Sequence, residues 1–383
     1  MLIIKKAFKN LMIQSLTILF YLFRIFPIKK NKIVIKNFDG KGYGDNPKYI
    51  VEKIIKENLN CELVWIVDDL NTYMNKKIKK VKNNSLREVY ELCTAKIWID
   101  NSRKLYFVRK RKSQVYIQTW HGAVALKQIE GQVVNKLPKT WVKASKNDSK
   151  MIDILLSNSK WTTRLMRKYF WYDGKILECG TPRNDILFNK DELLRENICK
   201  SINVDKDKKY ILYAPTFRNN LSLDAYNLNI NLLCRSLGKY WGGDWKVLIR
   251  LHPIMANKAI DLYKSENVID VTNYPDISEL ISISELLITD YSSCLFDAGF
   301  ALKKVVIYAS DIDEYMKDRG TNFEFKDLPF PKAKNNNELE EIIKSFNLNK
   351  YIKEVKIFNN SLEIFEDGCG SEVVCKEIRK ILN

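Results

Sequence analysis

Histidine is almost missing from this chain: two occur in 383 residues, His121 in "QTWHG" and His252 in "IRLHP". So few imidazoles, without clustered carboxylates around them, speak against a histidine-built metal centre. The eight cysteines (Cys61, Cys93, Cys179, Cys199, Cys234, Cys294, Cys369, Cys375) lack both the close pairs of a zinc site and the density of a disulfide scaffold. They read as small apolar fillers in a reducing compartment. A secretory leader is not expected, since the N-terminal apolar run is longer than such a leader needs and no small-residue cleavage site is evident. Acidic residues are the minority: 46 Asp and Glu face 64 Lys and Arg, for a net charge of +18. That surplus points to a polyanionic partner, which could be nucleic acid, an anionic bilayer or phosphate-rich substrates.

At 383 residues the chain exceeds what one core usually organises, and its pattern divides accordingly. "KIVIKNF" (32–38), "ELVWIV" (62–67), "AKIWIDN" (95–101) and "QVYIQTW" (114–120) read as buried strands, with helical stretches such as "NPKYIVEKIIKEN" between some of them. A second series follows in "YILYAP" (210–215), "WKVLIRLHP" (245–253), "NVIDVT" (267–272), "ELLITDY" (285–291) and "KVVIYAS" (304–310). Strands alternating with helices indicate α/β domains with parallel sheets. The expected division is an N-terminal helix (1–30), a first Rossmann-like domain (31–195) and a second (205–383) closed by the helices "NNNELEEIIKSFN" and "CGSEVVCKEIRKILN". Open α/β sheets bind ligands at the carboxyl ends of their strands. Both histidines stand at such ends, one per domain, as if on opposite walls of a central cleft.

The N-terminal helix carries Lys5, Lys6 and Lys9 before its apolar run (11–26) and Lys29, Lys30 and Lys32 after it. The run is borderline for the roughly 20 residues of a spanning helix. It also suits a helix lying in an anionic membrane interface, or one packed on the protein itself. The lysine-rich stretches "KKIKKVK" (76–82) and "RKLYFVRKRK" (103–112) read first as solvated faces, with a membrane or phosphate-acceptor surface as the alternative.

The strand ends carry the chemistry. "LLITDYSSCLFDAG" sets Thr289, Asp290, Ser292 and Ser293 between a strand and a helix, where hydroxyls and backbone amides suit an anion, or where Asp290 or Ser292 simply caps the helix. "LYAPTFRNN" adds Thr216 and Arg218, and "IRLHP" adds Arg250 beside His252, so guanidinium groups suited to phosphate gather around a hydroxyl-rich loop. Gly40, Gly42 and Gly44 depart from the dinucleotide fingerprint and read as a substrate-facing turn. "CGTPRND" (179–185) supplies another turn. His121, near its ordinary pKa, could accept a proton from an alcohol, or be a structural group among apolar neighbours. The Asp-x-Asp of "SDIDEY" (310–315) reads as structural.

Together "GKGYGDNPKYI" (40–50), "QTWHG" with Lys127, "SNSKWT" (157–162), "CGTPRND", "YAPTFR", "LIRLHP", "ELLITDYSSCLFD" (285–297) and "DEYMKDRG" (313–320) resemble the CDP-glycerol glycerophosphotransferase family, which builds teichoic acids and related capsule polymers. The resemblance implies a GT-B-like fold of two Rossmann-type domains and a CDP-glycerol or CDP-ribitol donor. It further implies a lipid-linked, undecaprenyl-type saccharide or polymer as acceptor and a peripheral or monotopic place on the cytoplasmic membrane face. By motif match His121 is the general base and His252 the second essential histidine. Thr216, Arg218, Arg250, Thr289, Asp290, Ser292, Ser293 and Asp297 surround the donor; Asp45, Asn46, Gly122, Lys127 and Arg183 belong to the acceptor side. Neither a metal cofactor nor nucleic acid is expected, and a homo-oligomer stays open. Where many members carry Thr-Pro after "WHG", this chain has Ala123, Val124 and Ala125, a change that could alter acceptor choice. The chain is little longer than two domains, which favours the addition of one or few units. The rivals are a nucleotide-sugar glycosyltransferase of the same fold and a non-enzymatic basic binder. The second lacks exposed aromatics interleaved with arginines.

Overall fold

A computed structural model describes residues 14–189, 191–218, 222–252, 254–255, 260–312 and 320–383. The chain forms two compact units. The first takes the described residues up to Gly122, Ile129–Asp185 and Phe365–Asn383; the second takes Ala123–Gln128 and Ile186–Ile364.

In the first unit seven strands, β1 (Lys29–Lys36), β2 (Glu62–Val67), β3 (Ile78–Lys82), β4 (Ala95–Asp100), β5 (Val115–Gln118), β6 (Ile154–Ser157) and β7 (Lys175–Glu178), form a parallel sheet in the order β3-β2-β1-β4-β5-β6-β7. Its central strands are apolar at nearly every position because both faces are covered. Ile33, Ile35 and Trp65 enter one core, while Val34, Val64 and Ile66 enter the core on the opposite face. The lysine-rich stretch 76–82 is not a simple solvated face: Ile78 and Val81 are buried and the segment is the edge strand β3, whose lysines discourage further pairing. Arg103 and Lys104 correct the second solvated-face reading, since both are buried. Arg103 pairs with Asp148 and Glu130, and Lys104 pairs with Asp100. Burial pushes the Asp148 carboxyl up to about 6, although Arg103 opposes the shift.

The second unit repeats the plan with β8 (Lys209–Ala214), β9 (Trp245–Ile249), β10 (Val268–Asp270), β11 (Leu286–Thr289), β12 (Lys304–Tyr308) and β13 (Lys332–Ala333), ordered β10-β9-β8-β11-β12-β13. Ile211, Val247, Leu286, Ile288 and Val306 centre its core. In each sheet the strand order reverses next to the first strand, between β1 and β4 and between β8 and β11. Loops part there, which opens a crevice at the carboxyl ends.

The unit boundary falls at Asp185, earlier than residue 195. The closing helices also divide. Asn336–Ser345 buries Leu339 and Ile343 in the second core, whereas Gly370–Leu382 returns to the first unit with Val374, Cys375 and Ile378. The reading of 205–383 as one domain is therefore corrected at its end. An amphipathic helix shows which face is apolar but not which sheet will cover it, and here specific polar contacts make that choice.

Residues 14–22 are helical and run into the short turn Phe23–Ile25. Phe20 is buried in the first unit's core, with Leu19 and Phe23 packed beside it. The outward stripe Ile18, Tyr21, Leu22 and Ile25 stays 55%, 52%, 58% and 80% exposed. No helix among the described residues is long and apolar enough to cross a membrane. Residues 1–13 of the expected membrane helix lie outside the described residues.

Candidate active site

Past β5 the chain reverses at Trp120, whose φ of 53° lies in the left-handed region, costly for a bulky residue unless its surroundings hold it. They do: Trp120 N donates to Gln118 Oε1 at 2.9 Å, and the indole meets the Phe170 ring edge-on at 4.8 Å. His121 follows, contacting Trp120 at 4.3 Å and Phe38 at 5.4 Å between ring centroids. Its Nδ1 lies 2.8 Å from the backbone carbonyl oxygen of Asn101. A carbonyl only accepts, so Nδ1 carries the hydrogen and the neutral ring presents the lone pair of Nε2. Burial holds the imidazole below its ordinary pKa, against the opposite pull of the Asn101 carbonyl and Asp45. The ring is thus neutral at physiological pH.

Asp45, Asn46 and Arg183 converge on the loop that carries His121. Asn46 Nδ2 donates to the Trp120 carbonyl at 3.0 Å, and Asn46 Oδ1 accepts from Arg183 N at 3.1 Å. Arg183 Nη1 donates to the His121 carbonyl at 2.7 Å and pairs with Asp45 Oδ2 at 2.9 Å. The Arg183 loop is anchored in turn from the C-terminal segment. Glu366 accepts from Thr181 N and Asn158 Nδ2, both at 3.0 Å, and Asp185 accepts from the amides of Gly370 and Ser371, both at 2.8 Å. Gly122 stands beside His121 without steric need for glycine, because a Cβ there would meet only the Trp120 indole at 3.6 Å. Gly40 is different: its φ is 102° and a Cβ would lie 2.7 Å from Asn83 Nδ2.

Ala123–Gln128 belongs to the second unit, where Lys127 bridges Thr321 and its carbonyl accepts from Asn322 Nδ2 at 3.1 Å. Ala123 and Val124 are buried there at 4% and 0%, while Ala125 is half-buried.

In the second unit the residues expected on the donor side gather around the β8/β11 reversal. Asp290 Oδ1 accepts from Thr216 N at 2.9 Å, and Thr289 Oγ1 donates to the Ala214 carbonyl at 2.7 Å. Arg218 is occupied from several sides: Nη2 lies 2.9 Å from Asp290 Oδ2 and 3.0 Å from Asp311 Oδ1, while Nη1 donates to the Thr216 carbonyl at 2.8 Å. Two carboxylates hold the guanidinium charged despite its burial. Arg250 contrasts with it. Nη2 reaches the Tyr274 carbonyl at 3.3 Å, and among the described residues the buried Nε has no partner. Desolvation lowers the Arg250 pKa, so an anion alongside would be welcome. His252 follows β9 with Nδ1 accepting from the Ile254 amide at 3.3 Å, which places the hydrogen of a neutral ring on Nε2. The two histidines thus take opposite tautomers. Ser292 and Ser293 are half-buried before the helix Cys294–Phe300; Ser293 makes no side-chain cap, and Asp297 is buried in the first turn.

Asn37, Phe38, Asn101 and Glu366 escape the sequence reading, whereas Asp311 is the first carboxylate of the Asp-x-Asp read as structural, and it pairs with Arg218. The only signal for Asn37 and Asn101 was their place just after buried strands. No cluster of three His, Cys, Asp or Glu side chains suited to a metal occurs among the described residues. Two surface grooves of the second unit, both lined by Asn231 and Ser265, contain none of these strand-end residues.

Two parallel sheets that reverse beside their first strands and carry polar side chains at those points define a Rossmann-type α/β enzyme of two units. A model of the CDP-Glycerol:Poly(glycerophosphate) glycerophosphotransferase family matches residues 18–380, and the chain belongs to that family. It is 33% identical over 393 aligned positions to the teichoic acid glycerol-phosphate transferase of Staphylococcus aureus (strain NCTC 8325 / PS 47), covering 98% of this chain and 100% of that one. It is 37% identical over 318 positions to the teichoic acid poly(glycerol phosphate) polymerase of Staphylococcus epidermidis, covering 79% of this chain but 44% of that longer protein. A solved structure of the wall teichoic acid polymerase TagF superimposes with a TM-score of 0.85 at 32% identity, over 98% of this chain and 96% of that one. The Staphylococcus aureus MnaA–UDP structure, at TM-score 0.52 and 16% identity over 92% of this chain and 97% of that one, shares the fold alone.

Proposed function

We propose that this protein transfers glycerol phosphate from CDP-glycerol to a hydroxyl of a lipid-linked saccharide or polymer in teichoic acid synthesis, releasing CMP. The observation that carries the reading is the His121 tautomer, a desolvated neutral imidazole with Nε2 as base, in a member of this family. CDP-glycerol is preferred over CDP-ribitol because two glycerol-phosphate relatives share 33% and 37% identity, against 28% for a poly(ribitol-phosphate) polymerase of Bacillus spizizenii.

The acceptor hydroxyl gives its proton to His121 Nε2 while its oxygen bonds to the glycerol-bearing phosphorus. The bond from that phosphorus to the bridging oxygen breaks, and CMP departs with the electron pair. The Nε2–H of His252 and the guanidinium of Arg250 meet the charge that develops on the leaving phosphate, assisted by the hydroxyls of Thr216, Ser292 and Ser293. Positioning and charge stabilisation dominate phosphoryl transfer of this kind. Arg218, Asp290 and Asp311 hold the loop in shape. The outward stripe of Ile18, Tyr21, Leu22 and Ile25, with Lys29 and Lys30 beyond it, supports peripheral attachment to the anionic cytoplasmic face of the membrane, where such an acceptor resides.

Incubation with CDP-glycerol, CDP-ribitol and a lipid-linked saccharide, followed by mass analysis, tests the reading. CMP and a product heavier by one or more glycerol phosphate units are expected. Release of a nucleoside diphosphate with a glycoside formed would establish the sugar-transfer rival instead. His121→Ala should lower turnover by about 10²–10⁴-fold with CDP-glycerol still bound; a fully active variant removes the base assignment.

A further inference from the structure

His121 does not hold its own tautomer. The hydrogen on Nδ1 goes to the backbone carbonyl of Asn101, so the ring is only as well oriented as that carbonyl. Asn101 is the first residue after β4 and Asn37 the first after β1. These strands are neighbours, with Lys36 in register with Asp100, so the two asparagines meet where the sheet order reverses.

Their side chains interlock. Asn101 Nδ2 donates to Asn37 Oδ1 at 2.7 Å, and Asn101 Oδ1 accepts from Phe38 N at 2.8 Å. Asn37 Nδ2 donates to the Lys41 carbonyl at 3.0 Å. Both residues are buried, Asn101 at 0% exposure and Asn37 at 3%. Position 101 must therefore donate and accept at once, which a primary amide does and a carboxylate or a hydrocarbon cannot. The same lock places Phe38, whose ring rests against His121 at 5.4 Å. Phe38 and Asp39 hold φ values of 40° and 57°, two successive non-glycine residues in the left-handed region, a conformation that persists only when its surroundings over-determine it. One amide pair thus governs two of the groups that touch the imidazole: the carbonyl at Nδ1 and the ring of Phe38.

We propose that the Asn37–Asn101 amide pair is the positioning element that keeps His121 in its Nδ1–H tautomer, with Nε2 presented to the acceptor hydroxyl. The inference rests on His121 as the base, but its test reads the ring directly. The chain has two histidines, so selective ¹⁵N-histidine labelling gives two imidazole spin systems, and His121→Gln assigns them. Above the imidazole pKa, the native spectrum should show one ring protonated at Nδ1 and His252 protonated at Nε2. In Asn101→Ala the His121 signals should move toward the Nε2–H form or a mixture, while His252, in the other unit, stays unchanged. Turnover should fall about tenfold or more with the KM for CDP-glycerol unaltered. Asn37→Ala, a milder lesion should Asn101→Ala fail to fold, should shift the tautomer the same way. Asn37→Asp, which keeps the acceptor oxygen for Asn101 but gives up the hydrogen bond to the Lys41 carbonyl, should keep His121 nearer the native tautomer than Asn37→Ala does. If the alanine variants fold and His121 remains Nδ1–H, the positioning role is overturned even where activity drops. A tautomer shift with unchanged turnover leaves the positioning intact and overturns the base assignment instead.

Discussion

Arg218 and Asp311 form a two-point ion pair, with Nε facing Oδ2 and Nη2 lying 3.0 Å from Oδ1, deep in a loop that sequence alone marks as phosphate-binding. Asp290 completes the cage at 2.9 Å. Removing the guanidinium leaves Asp290 and the part-exposed Asp311 without their counter-charge but with other donors, so the cost should lie toward the lower end of the range of about 3–5 kcal/mol for a fully buried pair. Arg218→Ala should therefore lower the Tm and the denaturation midpoint before any effect on KM can be read. Arg250→Ala should do the opposite, leaving Tm nearly intact and raising the KM for CDP-glycerol about tenfold or more, the scale of a lost charge-assisted hydrogen bond. Thermal unfolding and steady-state kinetics on both variants separate the brace from the ligand contact. Equal Tm losses would refute the division.

The acid limb of activity should follow His121. Burial, as the largest influence, lowers the folded-state pKa, so the neutral base survives to lower pH than an ordinary imidazole would allow. A plot of kcat/KM against pH should fall only below about 6.5. A midpoint above that value would show that another group carries the proton. Because the unfolded chain takes up the proton more readily, this histidine's contribution to stability is lost as pH falls through the same window.

Gly370 tests the return of the closing helix to the first unit. A Cβ at this position would lie 2.3 Å from the Gly180 carbonyl oxygen, backbone against backbone. Gly370→Ala must push the Gly370–Leu382 helix away from the loop that carries Arg183. We expect a loss of about 1–3 kcal/mol by chemical denaturation, typical of overpacking. Faster hydrogen exchange at Thr181–Asp185 should accompany it. Unchanged protection there would mean that the loop does not depend on the helix.

Membrane attachment can be read from the outward stripe without touching the core. Leu22→Glu combined with Ile25→Glu replaces side chains that are 58% and 80% exposed, so folding should be little changed. Co-sedimentation with vesicles containing anionic phospholipid should drop several-fold, while turnover with a soluble acceptor analogue persists. Vesicle binding at the native level would locate attachment elsewhere.

The alternation of apolar runs and amphipathic stretches was enough to reveal two parallel-sheet domains, and the position of each histidine after such a run was enough to nominate it. The strands β3, β6, β7 and β13 are not legible in the sequence: β3 is a lysine-rich edge, β13 has two residues, and β6 and β7 run straight into the polar motifs "SNSKWT" and "CGTPRND". Arg218 and Arg250 look alike in sequence, each an arginine just past a buried run. Whether a carboxylate waits beside it depends on Asp311, which lies 93 residues beyond Arg218.

What the sequence determined by itself was local: period, strand ends, charge, and the motifs whose order marks the family. The tertiary structure alone decided how the polar groups were shared out. It turned Asp45, Asn46 and Arg183 inward to hold the His121 loop, carried Lys127 into the second unit, and brought Glu366 and Gly370 back to the first. It also set the proton on opposite nitrogens of the two imidazoles, because a hydrogen bond from Nδ1 to a carbonyl and one into Nδ1 from an amide are made by residues that no spacing rule places there.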